Sequence, residues 1–339
     1  MASKEKKRIN LGLQGGGAHG AFTWGVLDRL LDEKNLEIEA VSGTSAGAMN
    51  AAVLADGMTR GGRLAAKEQL DKFWRRISDA GKHSFLQRLP WDRMMYGWNM
   101  DSSAPAALFD MTTRMFSPYE LTPSDYHPLR EVLDEFVDYN NLNENPAVKL
   151  FINTTNVSTG KVRVFETGEL SAEVLLASAC LPFLFKAIEI DGEFYWDGGY
   201  MGNPAIFPLI YGSSAPDVVV VQINPFTRTK EPRTAREILD RVNEISFNSS
   251  LMREMRVISF VRKIVEDEGL DPEKYKRLNV HFISAEEEMR DLGVTSKLNA
   301  EWDFLCFLHD LGRRTADAWL EENYDSLNVR STVDLSRFV

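Results

Sequence analysis

A chain of 339 residues with 44% hydrophobic and 26% charged side chains is long enough to bury a large core, as one α/β domain with insertions or as two domains. Its formal net charge of −11 leaves no basic footprint for nucleic acid and disfavours electrostatic adsorption to anionic lipid as the main contact. The two cysteines, Cys180 and Cys306, match neither a metal-ligand spacing nor a disulfide framework, which points to a reducing compartment.

The basic start Ser3-Lys4-Glu5-Lys6-Lys7-Arg8 leads into Ile9–Leu13, an apolar run too short and too quickly followed by glycines to be a signal core. No stretch nears the roughly 20 apolar residues of a spanning helix. The expectation is a soluble, cytoplasmic chain that can meet a membrane peripherally. Arg8–Gln14 alternates apolar and polar residues as a strand does, and it ends at Gly15-Gly16-Gly17. Ala21–Asp32 places Phe22, Val26, Leu27, Leu30 and Leu31 at helical spacing. A second strand, Ile38–Ser42, runs into Gly43-Thr44-Ser45-Ala46-Gly47 and a small-residue helix predicted to stop near Asp56-Gly57. Strand–helix–strand–helix is the pattern of a parallel sheet with helices on its faces. Residues 65–77 read as a further helix.

Residues 84–127 differ from their surroundings. They hold five of the twelve methionines and two of the seven tryptophans, broken by Pro90, Pro105 and Pro118. The segment reads as an insertion. Trp91, Met94, Met95 and Trp98 are candidates for a pocket or lid that holds an apolar chain, because methionine adapts to irregular apolar ligands; an ordinary packed subdomain fits the composition equally. Beyond it, Leu129–Phe136 reads as a short helix. Lys149–Val157 and Lys161–Phe165 form a hairpin, and Ser171–Ser178 a helix. Short strands lead to Asp197-Gly198-Gly199, and Val218–Ile223 is a buried parallel strand. After Pro225 the chain is mostly helical, with one more strand at Val280–Ser284 and a long helix at Asp303–Glu322. Residues 251–265 mix Met252, Met255, Ile258, Val261 and Ile264 with basic residues; a solvated helix packed on a domain is preferred to a membrane-surface helix.

Three motifs carry chemistry. Gly43-x-Ser45-x-Gly47 at a strand-to-helix turn would hold Ser45 in a strained conformation with its hydroxyl exposed at a helix N-terminus. Gly15-Gly16-Gly17-Ala18-His19-Gly20 leaves backbone N–H groups open to a developing oxyanion. A tight turn or phosphate loop would use such glycines too, but no Lys-Ser/Thr follows for a Walker A motif and the spacing fits a dinucleotide fold poorly. Asp197-Gly198-Gly199 puts a carboxylate beside glycines at a strand end; alone it is also a common turn.

In chain order, glycine loop, Gly-x-Ser-x-Gly elbow and then Asp-Gly-Gly, the three motifs resemble those of the patatin-like phospholipases, over about residues 9–225. Ala177-Ser178-Ala179-Cys180-Leu181-Pro182 resembles that family's pattern of small residues and proline. The resemblance implies a three-layer α/β/α fold around a mostly parallel sheet. It implies a catalytic domain over residues 8–225, with the insertion at about 84–127, and residues 226–339 packed on or completing it. It implies a serine acyl hydrolase in which Ser45 is the nucleophile and Asp197 completes a Ser–Asp dyad. Gly15, Gly16, Gly17 and Ala18 would form the oxyanion hole. The chain departs from the family at His19, where Arg or Lys is usual. Of the five histidines, His281 and His309 come late enough for a triad but lie in apolar strand and helix patterns, which makes them structural. Lipid or another ester is the expected partner, with no cofactor and no metal. An acyltransferase using the same nucleophile, and a non-catalytic lipid- or partner-binding scaffold, are the alternatives.

Overall fold

The computed structural model describes residues 5–82, 88, 97–100, 108, 111–113, 115–121, 127–268 and 276–338. An eight-stranded mixed sheet organises them, in the order β5-β6-β3-β2-β1-β7-β8, with β4 paired to β3 off this path. The strands are β1 (Lys7–Leu13), β2 (Leu36–Gly43), β3 (Lys149–Asn156), β4 (Val162–Glu166), β5 (Ile188–Ile190), β6 (Glu193–Asp197), β7 (Asp217–Gln222) and β8 (Asn279–Ser284). Strands β3, β2, β1, β7 and β8 are mutually parallel, whereas β4, β6 and β5 add in antiparallel fashion.

The parallel part is buried on both faces, and the valine run of β7 shows how. Val219 and Val221 join one apolar cluster, with α1 (Gly20–Asp32), α2 (Ala46–Gly81) and the helix Trp302–Asn323. Val218 and Val220 join the other, with Ile206, Leu209, Leu251, Met255 and Ile258. A strand packed by helices on both sides has no polar face to show, which explains the unbroken apolar run. Each fully buried valine contributes roughly 1.5–3 kcal/mol of apolar transfer free energy.

One expectation is corrected here. The helix after Ser45 does not stop at Gly57. It continues to a break at Gly61 (φ −163°, ψ 19°) and Gly62 (φ 73°, ψ −157°), then resumes to Gly81. Gly57 is instead a crossing point, where any Cβ would collide with the backbone of Ala66 in the returning half. The strand expected at Val280–Ser284 is β8, which pairs in register with β7 from Asp217↔Asn279 to Gln222↔Ser284. No helix among the described residues is long and apolar enough to cross a membrane.

Candidate active site

β3 changes neighbours along its length. Its first half pairs with β2, ending at Gly43↔Ile152. Its last residues pair with β6, starting at Thr154↔Asp197. Asn153 sits at the handover and is fully buried. Its Nδ2 donates to Ser42 Oγ at 3.1 Å and to Gly43 O and Thr44 Oγ1 at 3.0 Å each. One amide therefore ties the end of β2 to the strand that receives β6, and Ser45 and Asp197 arrive at the same end of the sheet.

Ser45 caps α2 with φ 54° and ψ −123°. A non-glycine residue in this region is strained and persists only where its surroundings hold it. Here the surroundings include Ser178, whose Oγ accepts from Ser45 N at 2.9 Å and donates to Asn153 O at 2.7 Å. Gly47 is required because a Cβ there would land on the Leu13 carbonyl. Ser45 is partly exposed although its neighbours are buried. The positive end of α2 lies beneath it.

Asp197 is held by backbone on both sides. Its N–H donates to Cys180 O at 2.8 Å, and its carbonyl accepts from Thr155 Oγ1 at 2.8 Å. The segment Ala177–Pro182 thus braces both residues, Ser45 through Ser178 and Asp197 through Cys180. The carboxyl is 1% exposed. Its Oδ1 accepts from Gly199 N at 2.7 Å, while Oδ2 has no hydrogen-bond partner. Burial pushes the Asp197 pKa up to about 7, against the opposing pull of the Gly199 N–H, the nearby Ser45 hydroxyl and the Lys297 charge. The hydroxyl is thus close enough to favour the carboxylate but lies outside ordinary hydrogen-bond geometry with Oδ2. A buried, half-satisfied acid with a pKa near neutrality is suited to take a proton from a hydroxyl beside it.

The glycine loop follows β1. Gly15 does not offer its N–H to a ligand, since Asn203 Oδ1 accepts it at 2.7 Å. This corrects its assignment to an oxyanion hole. The N–H groups of Gly16, Gly17 and Ala18 have no acceptor among the described residues. Gly17 adopts φ 57°, and a Cβ there would run into the Lys297 carbonyl oxygen. His19 is buried, and that burial, reinforced by the charges of Lys297 and Arg228, lowers its pKa well below the usual range. Its Nε2 is 2.7 Å from Ser296 Oγ, which itself donates to Gly293 O at 2.7 Å. The serine proton being spent, Nε2 carries the hydrogen and the imidazole is neutral.

The late histidines are elsewhere. His281 lies 3.3 Å from Asp217 and 3.0 Å from Thr332 Oγ1, with Asp217 at the start of β7, the end of the sheet opposite Ser45. His309 stacks near Trp24 and faces Asp28 and Asp310. Among the described residues no histidine hydrogen-bonds Ser45 or Asp197. Trp98 packs against Phe304 and Phe307, with Arg88 over its ring. Trp91, Met94 and Met95 lie outside the described residues. The supporting roles of Asn153, Asn203, Asn224 and Lys297 are not legible in the sequence, where isolated polar residues carry no local signal, whereas Ser178 lies in the family-like segment Ala177–Pro182.

The family model described as Patatin-like phospholipase matches residues 11–210, more than half of the chain. The chain belongs to the patatin-like phospholipase family. Two curated relatives, both called Lysophospholipase NTE1, come from two strains of Cryptococcus neoformans var. neoformans serotype D. Each is 27% identical over 217 residues, 64% of this chain and 11% of the relative, so this patatin-like chain matches only a small part of those proteins. Among solved structures, VipD from Legionella pneumophila aligns with 91% of this chain and 67% of its own, at 21% identity and a TM-score of 0.38. The ExoU–SpcU complex from Pseudomonas aeruginosa aligns with 95% of this chain and 53% of its own, at 15% identity and a TM-score of 0.40.

Proposed function

We propose that this patatin-like protein hydrolyses carboxylic esters of lipids through an acyl-enzyme on Ser45, with Asp197 as the only general base. The observation that carries the reading is the buried, partnerless Oδ2 of Asp197 near a serine held in a strained turn at the head of a helix. The hydroxyl attacks the ester carbonyl while its proton passes to Oδ2. Negative charge forms on the former carbonyl oxygen, where the free N–H groups of Gly16, Gly17 and Ala18 and the positive end of α2 oppose it. Collapse of this intermediate breaks the acyl–oxygen bond, and Asp197 returns the proton to the departing alkoxide. Water then repeats the sequence, giving its proton to Asp197 as it attacks the acyl-enzyme and freeing Ser45 as the acid leaves.

The name of the curated relatives makes a lysophospholipid the first substrate to try. Purified protein is incubated with a fluorophosphonate probe and assayed for fatty acid release. Labelling and release by the wild type, with both lost in Ser45→Ala and release lost in Asp197→Asn, is the expected result. The acid limb of the kcat/KM profile is expected near pH 7, because the carboxyl must lose its proton to act. Undiminished release by Ser45→Ala would refute the proposal.

A further inference from the structure

The 3-10 turn Val294–Leu298 lies outside the family match and packs against the 3-10 turn Gly17–His19 of the glycine loop. Two contacts join them and a third reaches Asn224. Ser296 receives the His19 imidazole, the Lys297 carbonyl faces Gly17, and Lys297 Nζ donates to Asn224 Oδ1 at 2.7 Å. Asn224 in turn donates from Nδ2 to Gly15 O at 2.8 Å, and both its N–H and Nδ2 reach Gln14 Oε1. Asn224 is 1% exposed. Among the described residues no carboxylate comes within ion-pair distance of Lys297 Nζ. Burial lowers the Lys297 pKa against the opposing charges of Glu244 and Asp240, and Glu244 is itself bound by Arg228 and Arg241.

The Gly15 carbonyl and the Gly16 N–H belong to one planar trans peptide, so they point in opposite directions. Holding the oxygen towards Asn224 therefore aims the Gly16 hydrogen away from Asn224, where it meets no acceptor among the described residues. An ammonium on the far side of Asn224 also polarises the amide, and each hydrogen bond in such a chain strengthens the next. The order is ammonium, side-chain amide, backbone peptide, and then whatever accepts from Gly16.

We propose that Lys297 is a positioning residue for hydrolysis at Ser45, acting through Asn224 to aim and polarise the Gly15–Gly16 peptide. This rests on the reading of Ser45 as nucleophile. The charged and titratable groups around the pair are Asp197, Glu244, Asp240, Arg228 and His19, with Cys180 and Tyr200 on the far side of Asp197. Among the described residues, the one charge that lowers the Asp197 pKa is that of Lys297, beside the larger effects of burial, which raises it, and of the Gly199 N–H and Ser45 hydroxyl, which lower it.

The test compares the full-length wild type with Lys297→Met, Lys297→Gln and Lys297→Arg, reading kcat, KM, the acid limb of the pH profile and thermal melting. Lys297→Met and Lys297→Gln are expected to lose roughly ten- to a hundredfold in kcat, less than the loss of a direct oxyanion donor. KM is expected to stay within about twofold, because the effect is on the transition state. The acid limb is expected to move to higher pH, since removing a cation disfavours the carboxylate. Lys297→Arg is expected to restore much of kcat and the position of the limb. Wild-type kcat with an unmoved limb in the methionine and glutamine variants would overturn the proposal. So would failure of both to fold while the arginine variant folds, which would assign Lys297 a structural role. A wild type that neither labels with fluorophosphonate nor releases fatty acid would overturn the hydrolase reading instead.

Discussion

Replacing Asp197 by asparagine should stabilise the protein at neutral and alkaline pH while abolishing turnover. An unfolded aspartate titrates near 3.8, whereas burial pushes the folded carboxyl to about 7. Between these values the folded state holds a proton that the unfolded state has released. Stability from this group is thus full below about pH 4, falls as pH rises, and is at its lowest above pH 7. The gap of about three units corresponds to roughly 4 kcal/mol at 1.36 kcal/mol per unit. The group is 1% exposed, so solvent screens little of this. Asparagine keeps an oxygen for the Gly199 N–H and carries no charge. For 339 residues, a melting entropy near 0.7 kcal/mol/K converts roughly 4 kcal/mol into a rise of about 6 °C at pH 8. The assay is thermal or urea unfolding of wild type and Asp197→Asn at intervals from pH 4.5 to 8.5. The difference should narrow steadily towards the acid end. A variant no more stable than wild type at pH 8, or a difference independent of pH, would show that the carboxyl is not desolvated as described.

Two further predictions concern the frame around these groups. Asn203→Ala strips the buried Gly15 N–H of its acceptor and should cost about 1–3 kcal/mol, read as a lower urea midpoint; an unchanged midpoint would mean the N–H finds another partner. Gly17→Ala forces a side chain into a left-handed conformation and onto the Lys297 carbonyl, and should cost more than about 1 kcal/mol and lower kcat; full activity with an unchanged melting temperature would refute the packing of Val294–Leu298 on the loop.

The elements that carry local signals could be read from the sequence. The glycine loop, the elbow and Asp197-Gly198-Gly199 each combine a strand end with residues whose backbone demands are distinctive, and all three converge in the structure. The supports could not be read this way, because each acts across a long separation. Asn203 meets Gly15 from 188 residues away, and Asn224 meets the same glycine from 209. An asparagine alone in a loop announces no partner. The misjudged end of the helix after Ser45 has a similar origin. Gly57 carries the usual mark of a helix stop, but it is there to let Ala66 pass, a fact about tertiary packing. Lys297 was invisible for a third reason. Its neighbours in sequence, Ser296 and Leu298, form an ordinary turn, and its importance comes from the loop it is packed against.

The handover along β3 sets how much drift the two reacting groups can tolerate. Because Ser45 and Asp197 are spaced by ladder pairings on either side of a single residue, inserting one residue in β6 before Asp197 would do more than move the acid outward by about 3.3 Å. It would turn the carboxyl to the opposite side of the pleat. A change of length is therefore harmless to the site only where it leaves the pairing of β6 with β3 in register.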